Sequence, residues 1–238
     1  MKKICLILLA VLMLTTMLFA TASAEGFDVE LNPGLDYLIL VNDEQTYEFG
    51  GEYDKVLTET DERGEYVAMV MAPDVYGDET PVEKATYAAF VRLQGALAER
   101  GLLVQLYSGY WSKGLHESLM ESHKDNMPTI WKLPEVGHSD HNTGLTIWVY
   151  IWDRFEGVDE KYLWGVETQE RSETIPRFKL LHELLPDYGF IDRYPLGKEE
   201  WTRTQSEPFE IRFVGSPEVA HAIMDNGLCL EEYLEMNK

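Results

Sequence analysis

The chain has 238 residues, of which 45% are hydrophobic and 12% aromatic, with only two cysteines. That suits one ordinary domain with its own core, or at most two small ones, and excludes a disordered chain, a collagen-like repeat and a disulfide-built miniprotein. Lys and Arg number 20 against 42 Asp and Glu, a net charge of −22, and a surface so acidic argues against nucleic acid and anionic membrane surfaces as partners.

Residues 1–24 read as an export signal. Lys2 and Lys3 supply the positive start, Ile4 to Phe19 form an apolar run too short for a comfortable bilayer span, and Ala22-Ser23-Ala24 is a small-residue cleavage site. Cys5 sits inside the apolar run, so no lipid-attachment cysteine follows it. The alternative is an uncleaved anchor; no later segment resembles a membrane span. Cleavage removes two lysines and leaves 18 basic against 42 acidic residues, net −24, with Cys229 as the one remaining cysteine. An intramolecular disulfide is then excluded, and Cys229, between Leu228 and Leu230, is expected as a buried inert thiol. The expected location is extracytoplasmic, secreted or at the cell envelope.

Residues 25–35 are polar, contain Asn32-Pro33-Gly34, and read as a lead-in to a domain over 36–238. Tyr37 to Val41 is expected as a short strand running into a turn at Asn42-Asp43, and Tyr66 to Met71 as another. Thr80-Pro81-Val82-Glu83 has the form of a capping box with Pro at the first helical position, and Gly101 is a natural stop. Between them Ala85, Ala89, Phe90, Leu93 and Leu97 make an apolar stripe at helical spacing. Leu102 to Tyr107 reads as a strand and Ser112 to about Asn126 as a helix.

Leu145 to Ile151 reads as a central strand, with Leu145, Ile147, Val149 and Ile151 on one face and Thr146, Trp148, Tyr150 and Trp152 on the other. Ile175 to about Leu185 is expected as a helix ended by Pro186 and Gly189. Phe209 to Val214 is expected as a strand with Phe209, Ile211 and Phe213 opposite Glu210 and Arg212. A last helix should start at Ser216-Pro217 and end at Asn226-Gly227. Helices mixed with strands in no regular alternation predict a single α+β domain with a small central antiparallel sheet and flanking helices.

Six histidines are candidates for chemistry. His123, His182 and His221 fall in or near expected helices and read as surface or capping residues. The informative stretch is Gly137-His138-Ser139-Asp140-His141-Asn142-Thr143-Gly144, a polar loop bounded by glycines that leads straight into the central strand. His-x-x-His spacing alone is a weak metal signal.

The order of short blocks along the chain is more specific. Leu40-Val41-Asn42, Ser108-Gly109-Tyr110, Ser139 to Leu145, Tyr188-Gly189-Phe190, Arg193-Tyr194-Pro195 with Gly197-Lys198-Glu199, Glu207-Pro208 with Arg212 to Gly215, and Leu230 to Leu234 together resemble the VanY-type D-alanyl-D-alanine carboxypeptidases, zinc peptidases of bacterial cell walls. The resemblance implies that family's fold and a site of four parts. A His and an Asp seven residues apart bind zinc together with a distant His. A Glu three residues before that His is the base that activates the zinc-bound water. An Arg after the Ser-Gly-Tyr block, helped by the loop Ser, holds the substrate. Zinc in such a site keeps one coordination position open.

Transferred to this chain, the pattern breaks at the metal. His141 stands at the first ligand position and Glu207 at the base, and Ser139 is the loop Ser. The Asp position is Trp148, the last His position is Glu210 and the Arg position is Trp111. An indole offers only a ring N–H donor and does not ligate zinc as a carboxylate does. Glu210 could serve as a carboxylate ligand, or pair with Arg212 on the same strand face. Trp111 cannot supply the two charge-assisted bonds with which Arg grips a carboxylate. Trp111, Trp148, Tyr110 and Tyr150 could instead form an aromatic wall suited to stacking on a sugar or an apolar side chain, the alternative being a cleft plugged by these aromatics.

Three functions follow. The first is an exported, carboxypeptidase-like cell-wall protein without the standard zinc site, a pseudoenzyme that binds an envelope ligand such as a peptidoglycan or stem-peptide fragment, or another envelope protein. The second is an active carboxypeptidase trimming stem peptides with a metal site rebuilt from His138, His141 and Glu210. The third is a structural or partner-binding domain with a sealed cleft.

Overall fold

The computed structural model describes residues 27–124, 133–152 and 176–238. The expected signal at 1–24 lies outside them. Elements run in the order α1 (Glu52–Leu57), β1 (Met69–Pro73), β2 (Glu79–Glu83), α2 (Lys84–Glu99), β3 (Leu103–Ser108), α3 (Lys113–His123), a 3₁₀ turn Asp140–Thr143, β4 (Thr146–Trp152), α4 (Pro176–Leu184), a 3₁₀ turn Pro186–Tyr188, β5 (Phe190–Asp192), α5 (Glu199–Thr202), β6 (Glu210–Phe213), α6 (Pro217–Met224) and α7 (Leu230–Met236).

Four strands form one antiparallel sheet in the order β3-β4-β6-β5, and β1 and β2 form a separate hairpin. This is the expected α+β arrangement with β4 inside the sheet. Period-two alternation sorts β4 as its sequence predicts: Ile147, Val149 and Ile151 are buried in one core with Leu106, Ile211 and Phe213. The stripe of α2 (Ala85, Ala89, Phe90, Leu93 and Leu97) closes that core from the other side. A smaller core joins Ile191, Val214, Ala220, Ile223 and Leu230. Cys229 beside it is fully buried, and burial pushes its thiol up to about 12, which leaves it inert at neutral pH.

Several elements depart from their sequence patterns. Tyr37 to Val41 forms no strand; Leu38 and Leu40 pack instead on the smaller core, so the apolar run answers packing and not a ladder. Thr80 does not cap the first long helix, because residues 79–83 pair with 69–73 as a strand. The cap is Glu83, whose carboxylate accepts from the backbone N–H groups of Ala85 (3.0 Å) and Thr86 (2.8 Å). The strand expected over Tyr66 to Met71 begins only at Met69, and α6 is followed by a further helix, α7. The polar lead-in is tied down by Phe27, whose ring lies 6.2 Å from that of Phe213.

Candidate functional site

The first half of the site is the Pro134–Thr143 loop. Ser139 caps its 3₁₀ turn by accepting from the His141 N–H at 3.3 Å, and the turn ends at Gly144 with φ 73°, a left-handed conformation suited to glycine. Two bonds fasten the loop to the segment after β3: Trp111 N–H donates to the His141 carbonyl at 3.1 Å, and the Asn142 amide donates to the Trp111 carbonyl at 2.8 Å. Glycine is needed at 109 because β2 passes so close. A Cβ there would lie 2.5 Å from the Pro81 carbonyl oxygen. The Gly109 carbonyl then accepts from His141 Nδ1 at 2.6 Å.

Asp140 is the fully buried anchor of this loop. Arg212 grips it with bonds of 2.7 and 2.8 Å, Arg193 Nε lies 3.3 Å away, and Thr146 donates its hydroxyl to it. Arg193 extends the network to Glu231 at 2.9 and 3.1 Å, and Glu231 accepts from Asn42. Arg212 is therefore spent on Asp140 and on the Tyr37 and Ile39 carbonyls. It does not pair with Glu210, although the two share a strand face: its guanidinium reaches back to the loop.

Glu210 turns instead to Trp148, its direct partner across the β4–β6 ladder. The Trp148 indole N–H donates to Glu210 Oε2. On the other side Glu210 meets Glu207, one turn earlier, and their side chains hydrogen-bond to each other. Burial pushes the Glu207 carboxyl from the usual 4.5 up to about 7. Burial also raises Glu210 well above the carboxylate range, and the neighbouring Glu207 adds to that. Two carboxyls in contact, Glu210 buried and Glu207 half-buried, hold a proton between them at neutral pH.

His141 completes the arrangement. It is 1% exposed. Its Nδ1 carries the proton, since the Gly109 carbonyl can only accept, and burial pushes the imidazole down to about 4. Nε2 is thus a neutral acceptor. It has no hydrogen-bond partner and lies 3.8 Å from Glu210 Oε2. Trp111 stacks flat on the His141 ring, with centroids 4.3 Å apart and planes 8° apart, and Trp148 stands edge-on to both. A cleft opens over these groups, lined also by Ser139, Tyr194, Thr204, Leu133 and Pro134.

The cleft thus gathers His141, Glu207, Glu210, Trp111, Trp148 and Ser139, the positions to which the resemblance points. It does not include His138, whose Nδ1 lies 2.8 Å from the Asn42 carbonyl oxygen and whose Nε2 faces Thr46. Tyr110 is a correction as well. Its ring belongs to the main core and lies near Asp54, while Trp111 lines the cleft. Tyr150 does not line the cleft; Tyr107 takes the place beside Trp148, with ring centroids 6.1 Å apart. Tyr194 and Thr204 line the cleft without having been singled out, although Tyr194 lies in the quoted Arg193-Tyr194-Pro195 block. His116, behind Trp111, faces the Pro134 carbonyl at 3.0 Å.

A zinc centre of the family's kind needs three protein ligands and an open position. Here one imidazole nitrogen is available, the second position offers an indole donor, and the third carboxyl is bound to that donor and shares a proton. Among the described residues no group of three His, Cys, Asp or Glu is placed to hold a metal ion. The donor set does not fit a zinc centre.

The carboxyl pair has a measurable signature. A carboxyl whose folded value is raised stabilises the fold below its unfolded value, and that contribution is lost as pH rises through the folded one. Here the window is 4.5 to about 7. In urea unfolding across this range, Glu207→Gln is expected to match the native chain near pH 4.5 and to exceed its stability by about 3 kcal/mol above pH 7. A pH-independent difference would mean that Glu207 is not held protonated.

The VanY family profile, described as D-alanyl-D-alanine carboxypeptidase, matches residues 79–216, more than half of the chain. A D-alanyl-D-alanine carboxypeptidase of Enterococcus faecium is 34% identical over 112 residues, 47% of this chain; the match spans 31% of that relative's length. Among solved structures, a mutant of the vancomycin-resistance D,D-pentapeptidase VanY in complex with Zn(II) superposes with a TM-score of 0.58 at 23% identity, over 83% of this chain and 98% of that one. The LD-carboxypeptidase LdcB, whose structure concerns peptidoglycan recognition, gives a TM-score of 0.63 at 22% identity, over 88% and 94%.

Proposed function

The chain belongs to the VanY family of D-alanyl-D-alanine carboxypeptidases, and from that premise we propose that it is an extracytoplasmic, cell-wall member that binds a peptidoglycan fragment without the family's zinc chemistry. The observation that carries this reading is the Trp148–Glu210 hydrogen bond, which ties together two of the three metal positions. Trp111 supports it further: its indole N–H is bonded to Ser108 Oγ at 2.8 Å and is not free to hold a ligand carboxylate. Residues 1–24, with the features of an export signal, support the location. No helix of the described residues is long and apolar enough to cross a membrane. We take 36–238 as the carboxypeptidase-like domain, with Ser139, Trp111 and Trp148 as its ligand-facing residues and Glu207 as the former base.

The unpartnered His141 Nε2 favours a second reading, a working peptidase with a rebuilt metal site. With His138 turned to Asn42, that site would rest on His141 and Glu210, too few ligands for tight binding. One measurement separates the two. Elemental analysis of the purified domain after growth in zinc is expected to give far less than one zinc per chain, with no D-Ala released from a stem pentapeptide. Stoichiometric zinc with turnover abolished by Glu207→Gln would overturn the proposal.

A further inference from the structure

The polar groups at the floor of the cleft are acceptors. His141 presents a lone pair at Nε2, buried and without a hydrogen-bond partner. Beside it lie the Glu207 and Glu210 carboxyls, and none of the described residues lining the cleft is Lys or Arg. The guanidiniums of the neighbouring strands are committed to Asp140 and Glu231. A buried acceptor without a donor is costly, and so is a carboxyl pair that keeps a proton because no cation of the described residues lies beside it; a ligand that brings donors and positive charge can displace that proton and relieve both. A ligand carboxylate would meet two acids and, among the described residues, no cation.

We propose that this cleft takes an aliphatic primary ammonium group, with Glu207 and Glu210 as its counter-charges and His141 Nε2 as a third acceptor. An ammonium carries three donors, one for each of these groups. The cleft encloses about 420 Å³, part of it open to solvent. That is room for a compact head, with Trp111, Pro134 and Leu133 among the apolar walls open to an alkyl stem. Trp111 and Trp148 form dry walls that strengthen the charge pairing. The chain's net charge of −22 draws cations toward it. In an envelope peptide the matching group is the free side-chain amine of a diamino acid, not the terminal carboxylate.

This inference rests on the metal-free reading of the site. Its test is a titration of the full chain with Nα-acetyl-lysine amide, followed through the Trp148 and Trp111 indole N–H resonances. Parallel titrations use the same probe acetylated on Nε and N-acetyl-D-alanyl-D-alanine. The free-amine probe is expected to shift the Trp148 signal saturably, with Nε acetylation weakening binding at least about tenfold and Glu207→Gln doing the same. Equal affinity for the acetylated probe, tighter binding of the carboxylate probe, or no saturable shift with the amine would each overturn it. Acetylation acts on the ligand, so the comparison stands even where a variant folds poorly. Any of these failures in a zinc-free, inactive protein sinks the ammonium proposal alone. Stoichiometric zinc with turnover sinks the metal-free reading beneath it.

Discussion

The triple variant Trp111→Arg, Trp148→Asp, Glu210→His is expected to bind one zinc per chain, at least about a thousandfold more tightly than the native chain, a difference of about 4 kcal/mol. The geometry for this is in place. Positions 148 and 210 face each other across the β4–β6 ladder, and their side chains already touch. His141 Nε2 lies 3.8 Å from Glu210 Oε2, close to the roughly 3.4 Å that separates two donors sharing a tetrahedral metal at about 2.1 Å. The His141 tautomer is set by the Gly109 carbonyl, which leaves Nε2 as the ligand atom. Trp148→Asp removes the indole and adds a charge that attracts a dication. Glu210→His breaks up the carboxyl pair and leaves Glu207 as a single acid beside the centre. Release of D-Ala from a stem pentapeptide is the second readout, and Glu207→Gln in the triple background should abolish it. The single variant Trp148→Asp should gain much less, since Glu210 still shares its proton with Glu207. A folded triple variant without zinc would show that the three positions no longer converge.

How far this site was legible in the sequence depends on the range of the interaction. Trp148 and Glu210 were placed correctly because strand alternation is a local rule, and it put each on the face away from the aliphatic residues. His141 and Glu207 came from the spacing of family blocks. Tyr110 was misplaced because it lies past the end of β3, where alternation no longer assigns a face. Thr80-Pro81 reads equally as a helix start and as an edge strand; only the pairing with Met71 and Ala72 decides it. The Glu210–Arg212 pair was the local expectation. It failed because Arg212 has a better acceptor in Asp140, 72 residues away in sequence, which no periodicity reveals. Arg212 did carry a signal. It stands between Ile211 and Phe213 in the expected strand, and arginine in such company requires a buried partner.

That buried network supports the second large effect. Asp140→Ala is expected to destabilise the chain by about 3–5 kcal/mol. The carboxylate and both guanidiniums are fully buried, so removing Asp140 strands Arg212 with three backbone carbonyls as its remaining acceptors. Arg193 keeps Glu231 and suffers less. The loss also frees the turn that carries His141, because Thr146 and Arg212 hold that turn through Asp140. Binding at the cleft should therefore weaken together with stability. A paired replacement, Asp140→Leu with Arg212→Met, should recover much of the lost stability, since it leaves no uncompensated charge. It should not recover ligand binding, because the His141 turn still lacks its anchor. The pH dependence runs opposite to that of the Glu207 pair. Burial alone would raise the Asp140 carboxyl, but the Arg212 and Arg193 charges outweigh it and hold it below its usual 3.8. Its contribution is therefore complete above that pH and is lost as the pH falls further. Chemical unfolding of the single and double variants at pH 7 reads the coupling directly. Additive losses would mean that Asp140 and Arg212 are neighbours without being partners, and that something other than this pair holds the His141 turn against the sheet.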